Sequence, residues 1–396
     1  MIGRVRLGDI ADVFNGKTPS KAEQRDHGHP VLKVRDVDEH GKHRGNTLSF
    51  VDPELAAKYP SKWVKAGDTL ILNAAHNADY VASKTYFAGD EAVGSLATGE
   101  WLVVRAHTDA VHPAFVNYWF RCSRTRDSVR FLVKGIHLYP RDVADLEVAL
   151  PALAEQHRIV DLLARAEGIV RLRREAQQKA AELIPAIFID MFGDPATNPE
   201  AWPRQPLSAV AEVISGVAKG RNLGPGEAVE LPYMRVANVK DGYLDLDEVK
   251  TIEIKRSEVE KLLIRPGDLL MTEGGDPDKL GRAALWAGEI EACVHQNHVF
   301  KVRSDRACVS PAYLRTLAGS AYGKAYFLSV AKKTTGIASI NKTQLNAFPV
   351  PLPPLPLQQA FERRVQAVES ILSQQVDAAA KAKASFDALL SRAFGG

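Results

Sequence analysis

Cys293, His295 and His298 stand in the spacing C-x-H-x-x-H, a pattern of side chains that ligate zinc when a fourth donor completes the tetrahedron. No fourth ligand is evident, and the first half of the chain has no counterpart. A strand presenting polar groups is therefore the preferred reading, and no metal is expected. The cysteines, Cys122, Cys293 and Cys308, are three in number and lack C-x-x-C spacing, which argues against a disulfide framework or a zinc ribbon. The chain has no G-x-x-x-x-G-K-[ST] phosphate loop, no G-x-G-x-x-G fingerprint and no G-x-S-x-G elbow. Asp276 and Asp278 are read as turn formers. The residues point to binding, with no catalytic constellation and no cofactor held by this chain.

Two basic stretches offer that binding. RCSRTRDSVRFLVKG carries Arg121, Arg124, Arg126, Arg130 and Lys134, and GKAYFLSVAKKTTG carries Lys324, Lys332 and Lys333 beside Tyr322 and Tyr326. Phosphate contact driven by counterion release is the functional reading. A solvated helix face is the plain one. The two stretches occupy equivalent places in a repeat, which favours phosphate contact.

That repeat organises the whole chain. VRLGDIADVFNG, ending at Gly16, returns as QPLSAVAEVISG, ending at Gly216; HPVLKVRDV returns as LPYMRVANV; Asp68 of AGDTLIL matches Asp268 of PGDLLMT; Pro113 matches Pro311; Gln156 matches Gln358; Gly193 matches Gly395. Six anchors in one order mark a tandem duplication of half the chain, not a solenoid of short repeats. Each half opens with short apolar runs such as TLIL, WLVV, LLMT and HVFKV between Gly, Pro, Asn and Asp, the pattern of strands and turns with a few short helices.

Each half then closes on one long helix, expected over residues 155–192 and 357–394, roughly 57 Å each at ~1.5 Å per residue. Ile159, Leu163, Ala166, Val170, Arg173, Gln177, Ala180, Ile184, Ile187 and Met191 follow alternating steps of four and three. Phe361, Val365, Val368, Leu372, Gln375, Ala379, Ala382, Phe386, Leu389 and Ala393 repeat those steps. A sustained 3.5-residue stripe is a coiled-coil seam, so the helices are expected to pair with each other, antiparallel, with Gln177 facing Gln375 as the element that sets register. Arg173 then falls opposite small Ala379, which leaves its stem a way to solvent. Pro185 predicts a kink or an early end in the first helix. The proline-rich stretch 193–206 cannot continue a helix and reads as a linker.

The fold class is thus α+β: two globular α/β domains separated by two long antiparallel coiled-coil helices, with internal pseudo-two-fold duplication. The expected boundaries are a first domain over 1–150, a helix over 151–192, the linker over 193–206, a second domain over 207–352 and a helix over 353–396. Lys+Arg 51 against Asp+Glu 48 leaves a net charge of +3, so any nucleic-acid surface must be a local patch. No apolar run is long enough for a membrane span and the N-terminus has no signal-peptide core, so a cytoplasmic location without membrane partners is expected.

The duplicated plan resembles the specificity subunits of type I restriction-modification systems. VALPALAEQHRIVDLL and VPLPPLPLQQAFERRV resemble that family's proline-then-Gln entry into its spacer helix. LGDIADVFNGKTPS resembles the opening of a target recognition domain. LIRPGDLLMTEGG, LGRAALW and HQNHVFKV resemble its central strands. The second helix entry departs by Leu357 in place of Glu155 and Ala360 in place of Arg158. The resemblance implies a non-catalytic subunit that reads a bipartite, asymmetric double-stranded DNA target. It implies docking of two modification (methyltransferase) subunits, which use S-adenosylmethionine to methylate adenine, with a restriction/translocase subunit as a further partner.

On that reading the base readers are polar side chains on loops. The candidates are Lys17, Thr18 and Ser20, with Lys219 and Arg221, after the opening motif. Arg35 and Asp36, with Arg235 and Asn238, leave a strand. His76, Asn77, Tyr80 and Lys84, with Lys279 and Arg282, lie in the middle loops. Two alternatives stay open on residues alone: a coiled-coil scaffold that binds only proteins, and a specificity protein of a non-type I methylation or defence system.

Overall fold

The computed structural model describes residues 3–46, 49–220, 224, 226–276, 279–334 and 336–395. The chain divides into two compact units, Met1–Arg174 with Asp377–Gly396, and Glu175–Val376.

The first unit is built on a four-stranded antiparallel sheet of β1 (Ala11–Asn15), β2 (Thr69–Leu72), β3 (Thr85–Phe87) and β4 (Trp101–Ala106), in the order β1-β4-β2-β3. The apolar run of β4 is explained by burial on both faces. Leu102 and Val104 enter one core with Ile71 and Phe115, whereas Trp101 and Val103 enter another with Leu70 and Leu72. Helices α1 (Pro113–Arg121), α2 (Ser123–Phe131) and the 40-residue α3 (Leu153–Phe192) follow. A short strand, Gly3–Arg6, pairs antiparallel with Glu147–Leu150 and closes this unit.

The second unit repeats the plan. Its sheet holds β5 (Ala211–Ser215), β6 (Leu269–Thr272), β7 (Ala283–Leu285) and β8 (Val299–Ser304), in the equivalent order β5-β8-β6-β7. Helices α4 (Pro311–Gly319), α5 (Ala321–Val330) and the 40-residue α6 (Leu355–Phe394) follow. The closing strand pair recurs as Arg204–Pro206 with Pro349–Pro351. The last residues of the expected linker are therefore a strand. The stretch is tied down further by the Trp202 indole, which donates to the Phe192 carbonyl at 3.1 Å.

The anchor glycines have a steric cause. A Cβ on Gly16 would lie 2.2 Å from the Thr98 carbonyl oxygen, and one on Gly216 would lie 2.2 Å from that of His295. At both places one backbone crosses another with no room for a side chain.

Along the long helices most of the predicted seam positions are at least half-buried, although Val160, Phe188, Phe192 and Leu390, which lie off it, are buried more deeply than many of them. In α6 all ten seam positions are buried or half-buried. In α3 nine are, with Arg173 exposed as its expected route to solvent requires. Within the first unit, Val160 and Leu163 share a core with Phe386 and Leu390. Helix α1 lies along both segments. His112, its cap, meets Gln156, and Tyr118 meets Glu167, whereas Phe115 packs on Phe394 and Tyr118 on Phe386. The two segments thus run in opposite directions along α1. Within the second unit, Phe188 and Phe192 pack on Phe361 with ring centroids 5.6 and 5.4 Å apart.

Helix α3 does not end at Pro185; it continues to Phe192. The one backbone hydrogen bond lost there is outweighed by anchoring on both sides, through Ile184, Ile187, Phe188 and Phe192 in the core. No helix among the described residues is long and apolar enough to cross a membrane.

Candidate nucleic-acid interface

In the first unit the loop after β2 and the segment after α2 lie side by side. Ala74 bridges His137, and the Leu138 amide donates to the Asn73 carbonyl at 2.9 Å. Ala78, Asp79, Arg130, Val133 and Gly135 line an open cleft between them. Two sequence-separated candidate sets thus become one surface. It exposes His76, Asn77 and Tyr80 from the loop and Arg126, Arg130 and Lys134 from the basic stretch. Asn77 also caps a turn by accepting from the Asp79 amide, and Lys134 pairs with Asp142 at 2.6 Å.

The second unit builds the same junction from strands. Gly274–Gly275 pairs with Ile337–Ser339, which pairs with Lys332–Thr334, and the Ile340 amide donates to the Glu273 carbonyl. Lys332 and Lys333 are exposed there. Lys279 hydrogen-bonds Asp276, and the backbone carbonyl of half-buried Arg282 accepts from Thr272. Lys279 and Arg282 both pull the Asp276 carboxyl below its ordinary value, the Lys279 hydrogen bond being the main cause.

Several candidates are committed inside their own unit. Asn238 is buried: its oxygen accepts from the Arg235 amide and its nitrogen donates to the carbonyls of Asp245 and Glu248, so it has nothing left for a base. Asp36 is the corresponding cap in the first unit, buried and accepting from the Lys33 amide. Arg235 is held by Glu248, and exposed Arg35 reaches Ser49. The Lys84 ammonium donates to the carbonyls of Val37 and Val34, and burial pulls it below its ordinary value. Arg121 binds Glu167 at 2.6 Å and lies over the rings of Tyr118 and Phe386, which ties α1 to the long helices. Arg124 donates to the Gly395 carbonyl, and Lys324 pairs with Asp241.

Near the opening motifs, Thr18 accepts from the Gly99 amide and Ser20 forms a capping box with Glu23. Lys17 sits 5.3 Å from the centre of the Tyr59 ring, and exposed Lys219 lies 5.4 Å from that of Tyr233. Arg221 lies outside the described residues. The amides of Gln177 and Gln375 are both half-buried on their helices.

The C-x-H-x-x-H stretch is structural. His295 is fully buried, its Nδ1 lies 2.7 Å from the Val299 carbonyl, and desolvation lowers its pKa to about 4. Burial raises the Cys293 thiol to about 12, while His298 bonds Glu273 on the surface. Among the described residues no group of three metal-ligating side chains converges.

Sequence reasoning missed two features. Lys301 is fully buried in β8 and opposes Leu270, as apolar Val103 opposes Leu70 in the first unit. It donates to the carbonyls of Lys261 and Leu263, and burial lowers its pKa to about 8. Nothing in a strand pattern distinguishes such a lysine from a solvated one. The second feature is apolar: Phe131 is 90% exposed, Ile136 42% and Ile337 56%, all beside the basic segments. The repeated Gly–Ile dipeptide, Gly135–Ile136 and Gly336–Ile337, was the available signal.

These features define a duplicated mixed helix-and-sheet chain in which each compact unit exposes basic side chains at an equivalent junction, built from loops in the first and strands in the second. Comparison with known proteins places that class more closely. No family model matches the chain. It is 21% identical over 391 residues to the type I restriction enzyme EcoKI specificity subunit of Escherichia coli K12, covering 93% of this chain and 82% of that protein. The putative MjaX specificity subunit of Methanocaldococcus jannaschii is 26% identical over 190 residues, 47% of this chain; that match spans 44% of the relative's own length. Among solved structures, one on complex assembly and conformational transition of a type I restriction-modification system aligns at TM-score 0.59 and 20% identity, over 99% of this chain and 97% of that one. The type I S subunit from M. genitalium aligns at TM-score 0.54 and 13% identity, over 100% and 96%. In sequence this chain is similar to specificity subunits of type I restriction enzymes, and its fold is similar to that of solved structures from type I restriction-modification systems.

Proposed function

We propose that this chain is the non-catalytic DNA-reading subunit of a methylating and restricting complex. Each folded unit reads one half of a bipartite, asymmetric double-stranded target, over domains 1–150 and 207–352, and the paired long helices set the unread gap. The observation that carries this reading is the repetition of one unit in which the same two segments build the same basic surface. A chain with internal two-fold character matches the two-fold arrangement of grooves in B-DNA, so one polypeptide imitates a dimer on two half-sites. The differing loops give two different half-sites.

Two modification subunits would dock on the helices and bring the S-adenosylmethionine used for adenine methylation; this chain binds no cofactor itself. A restriction/translocase subunit is the further partner. Leu162, Ile169 and Leu172 support docking, because they lie at heptad-compatible spacing on α3, off the seam, and are 50%, 53% and 57% exposed. The site of action is the cytoplasm. The test is methylome sequencing of a host with and without the gene. A two-part adenine-methylation motif that vanishes on deletion supports the reading; an unchanged methylome rejects it.

A further inference from the structure

The two units end their basic segments on equivalent tips. Gly135 and Gly336 have φ of +64° and +80°, and each is followed by an isoleucine that the fold leaves in solvent. Both tips are pinned close to their bases. His137 bridges Ala74 and Leu138 bonds Asn73 in the first unit; Ala338 pairs with Gly275 and Ile340 bonds Glu273 in the second. The residues just beyond each isoleucine turn back into the core, with Leu138 and Ile340 each 1% exposed. Held in this way, Ile136 and Ile337 are prominent on their units rather than trailing. Exposing one branched aliphatic side chain forgoes its burial, and the same sacrifice is made twice at one place in the repeat.

The neighbours identify the occupant. Arg130 lines the cleft beside Gly135 and Lys134 bridges His137 at the first tip, and Lys332 and Lys333 lead into the second, all exposed. An apolar point beside exposed cations is matched by a nucleic-acid groove, which offers phosphates at its rim and stacked bases at its floor. An aliphatic wedge entering a base step unstacks it, and the cations hold the flanking backbone.

We propose that Ile136 and Ile337 are paired wedges, each inserting at a base step in the half-site read by its own unit. This rests on the DNA-reading function proposed above. The geometry makes the two wedges independent, because each belongs to its own folded unit.

The test uses the full chain with its modification subunits, without S-adenosylmethionine, on a duplex carrying the two-part motif that the methylome defines. A 2-aminopurine is placed in turn at each step of both half-sites other than the methylated adenine. Wild-type protein should give a fluorescence rise at one step in each half. Ile136→Ala should remove the first-half signal alone and Ile337→Ala the second-half signal alone, each weakening binding roughly tenfold, the scale of one disturbed base pair, with unchanged thermal unfolding. Ile136→Lys and Ile337→Lys decide between a wedge and a phosphate contact: a wedge predicts weaker binding, a phosphate contact tighter. Unchanged signal and affinity in the alanine variants, or tighter binding by the lysine variants, overturns the wedge while leaving the DNA-reading function intact. A wild-type complex that shows no two-part motif at all overturns both.

Discussion

Arg105 holds Asp68 through both carboxylate oxygens, Nε to Oδ1 at 2.9 Å and Nη2 to Oδ2 at 2.7 Å. Arg303 grips Asp268 identically in the second unit, at 2.8 and 2.7 Å. Each aspartate also accepts from the amide three residues before it, of Lys65 and of Arg265. The pair ties the turn before β2 to β4, and its counterpart ties β6 to β8. Removing one partner leaves the other charge desolvated. Asp68→Ala should destabilise the first unit by about 3–5 kcal/mol. Hydrogen exchange resolved by mass spectrometry should show protection lost around β2 and β4 and retained around β6 and β8; equal loss in both units would contradict this.

Gln156 and Gln358 enter their helices by one device. Each is buried, each side-chain oxygen accepts at 2.9 Å from the amide of the residue before α1 or α4, His112 or Ser310, and each nitrogen donates to a proline carbonyl. Truncation strands those buried groups. Gln358→Ala should cost about 1–3 kcal/mol per stranded group, and Gln358→Glu should not restore stability at neutral pH, because a carboxylate has no donor for Pro353. Urea denaturation of the three proteins measures this.

Acid should loosen the second unit first. The folded-state pKa of His295 is about 4, against 6.5 when unfolded, so the folded form binds fewer protons between those values. Stability from neutral His295 is fully present above about pH 6.5 and is lost as pH falls toward 4, up to about 3 kcal/mol. Lys301 acts at the other end: with its pKa lowered from 10.5 to about 8, stability is incomplete below pH 8 and rises toward 10.5. The parallel strand that carries His295 has Leu96 and Ala97 in the first unit, so this histidine has no counterpart there; the first unit's own desolvated histidine is His112, at the cap of α1. His295→Gln should flatten the decline between pH 6.5 and 4 in a thermal-unfolding series; an unchanged slope would contradict the assignment.

The register of the long helices can be trapped chemically. With exposed Cys308 changed to serine, Gln177→Cys together with Gln375→Cys should form an intramolecular disulfide on mild oxidation, since the remaining Cys122 and Cys293 are buried. Free thiols in the oxidised double variant would refute the facing pair. Lengthening both helices by one heptad should then widen the gap in the methylated motif by the added rise and leave the bases unchanged. A constant gap would show that the helices are not the ruler.

The sequence by itself determined the duplication and the two long helices, because periodicity and repetition survive in a linear record. Every predicted seat but exposed Arg173 is at least half-buried, yet the deepest positions of α3 include Val160, Phe188 and Phe192, which the periodicity did not seat. It also supplied the two segments that build each basic surface. Only the tertiary structure decided which of their polar residues remain available. Asn238 and Thr18 look alike as loop residues, yet each satisfies a local backbone group, and hydrogen-bond partners far apart in sequence leave no pattern to read. Pro185 shows the same limit from the other side. Local propensity predicted a kink or an early end; the helix does not end there, and the aromatic core around Phe188 and Phe192, whose partner Phe361 lies far along the chain, anchors it beyond the proline.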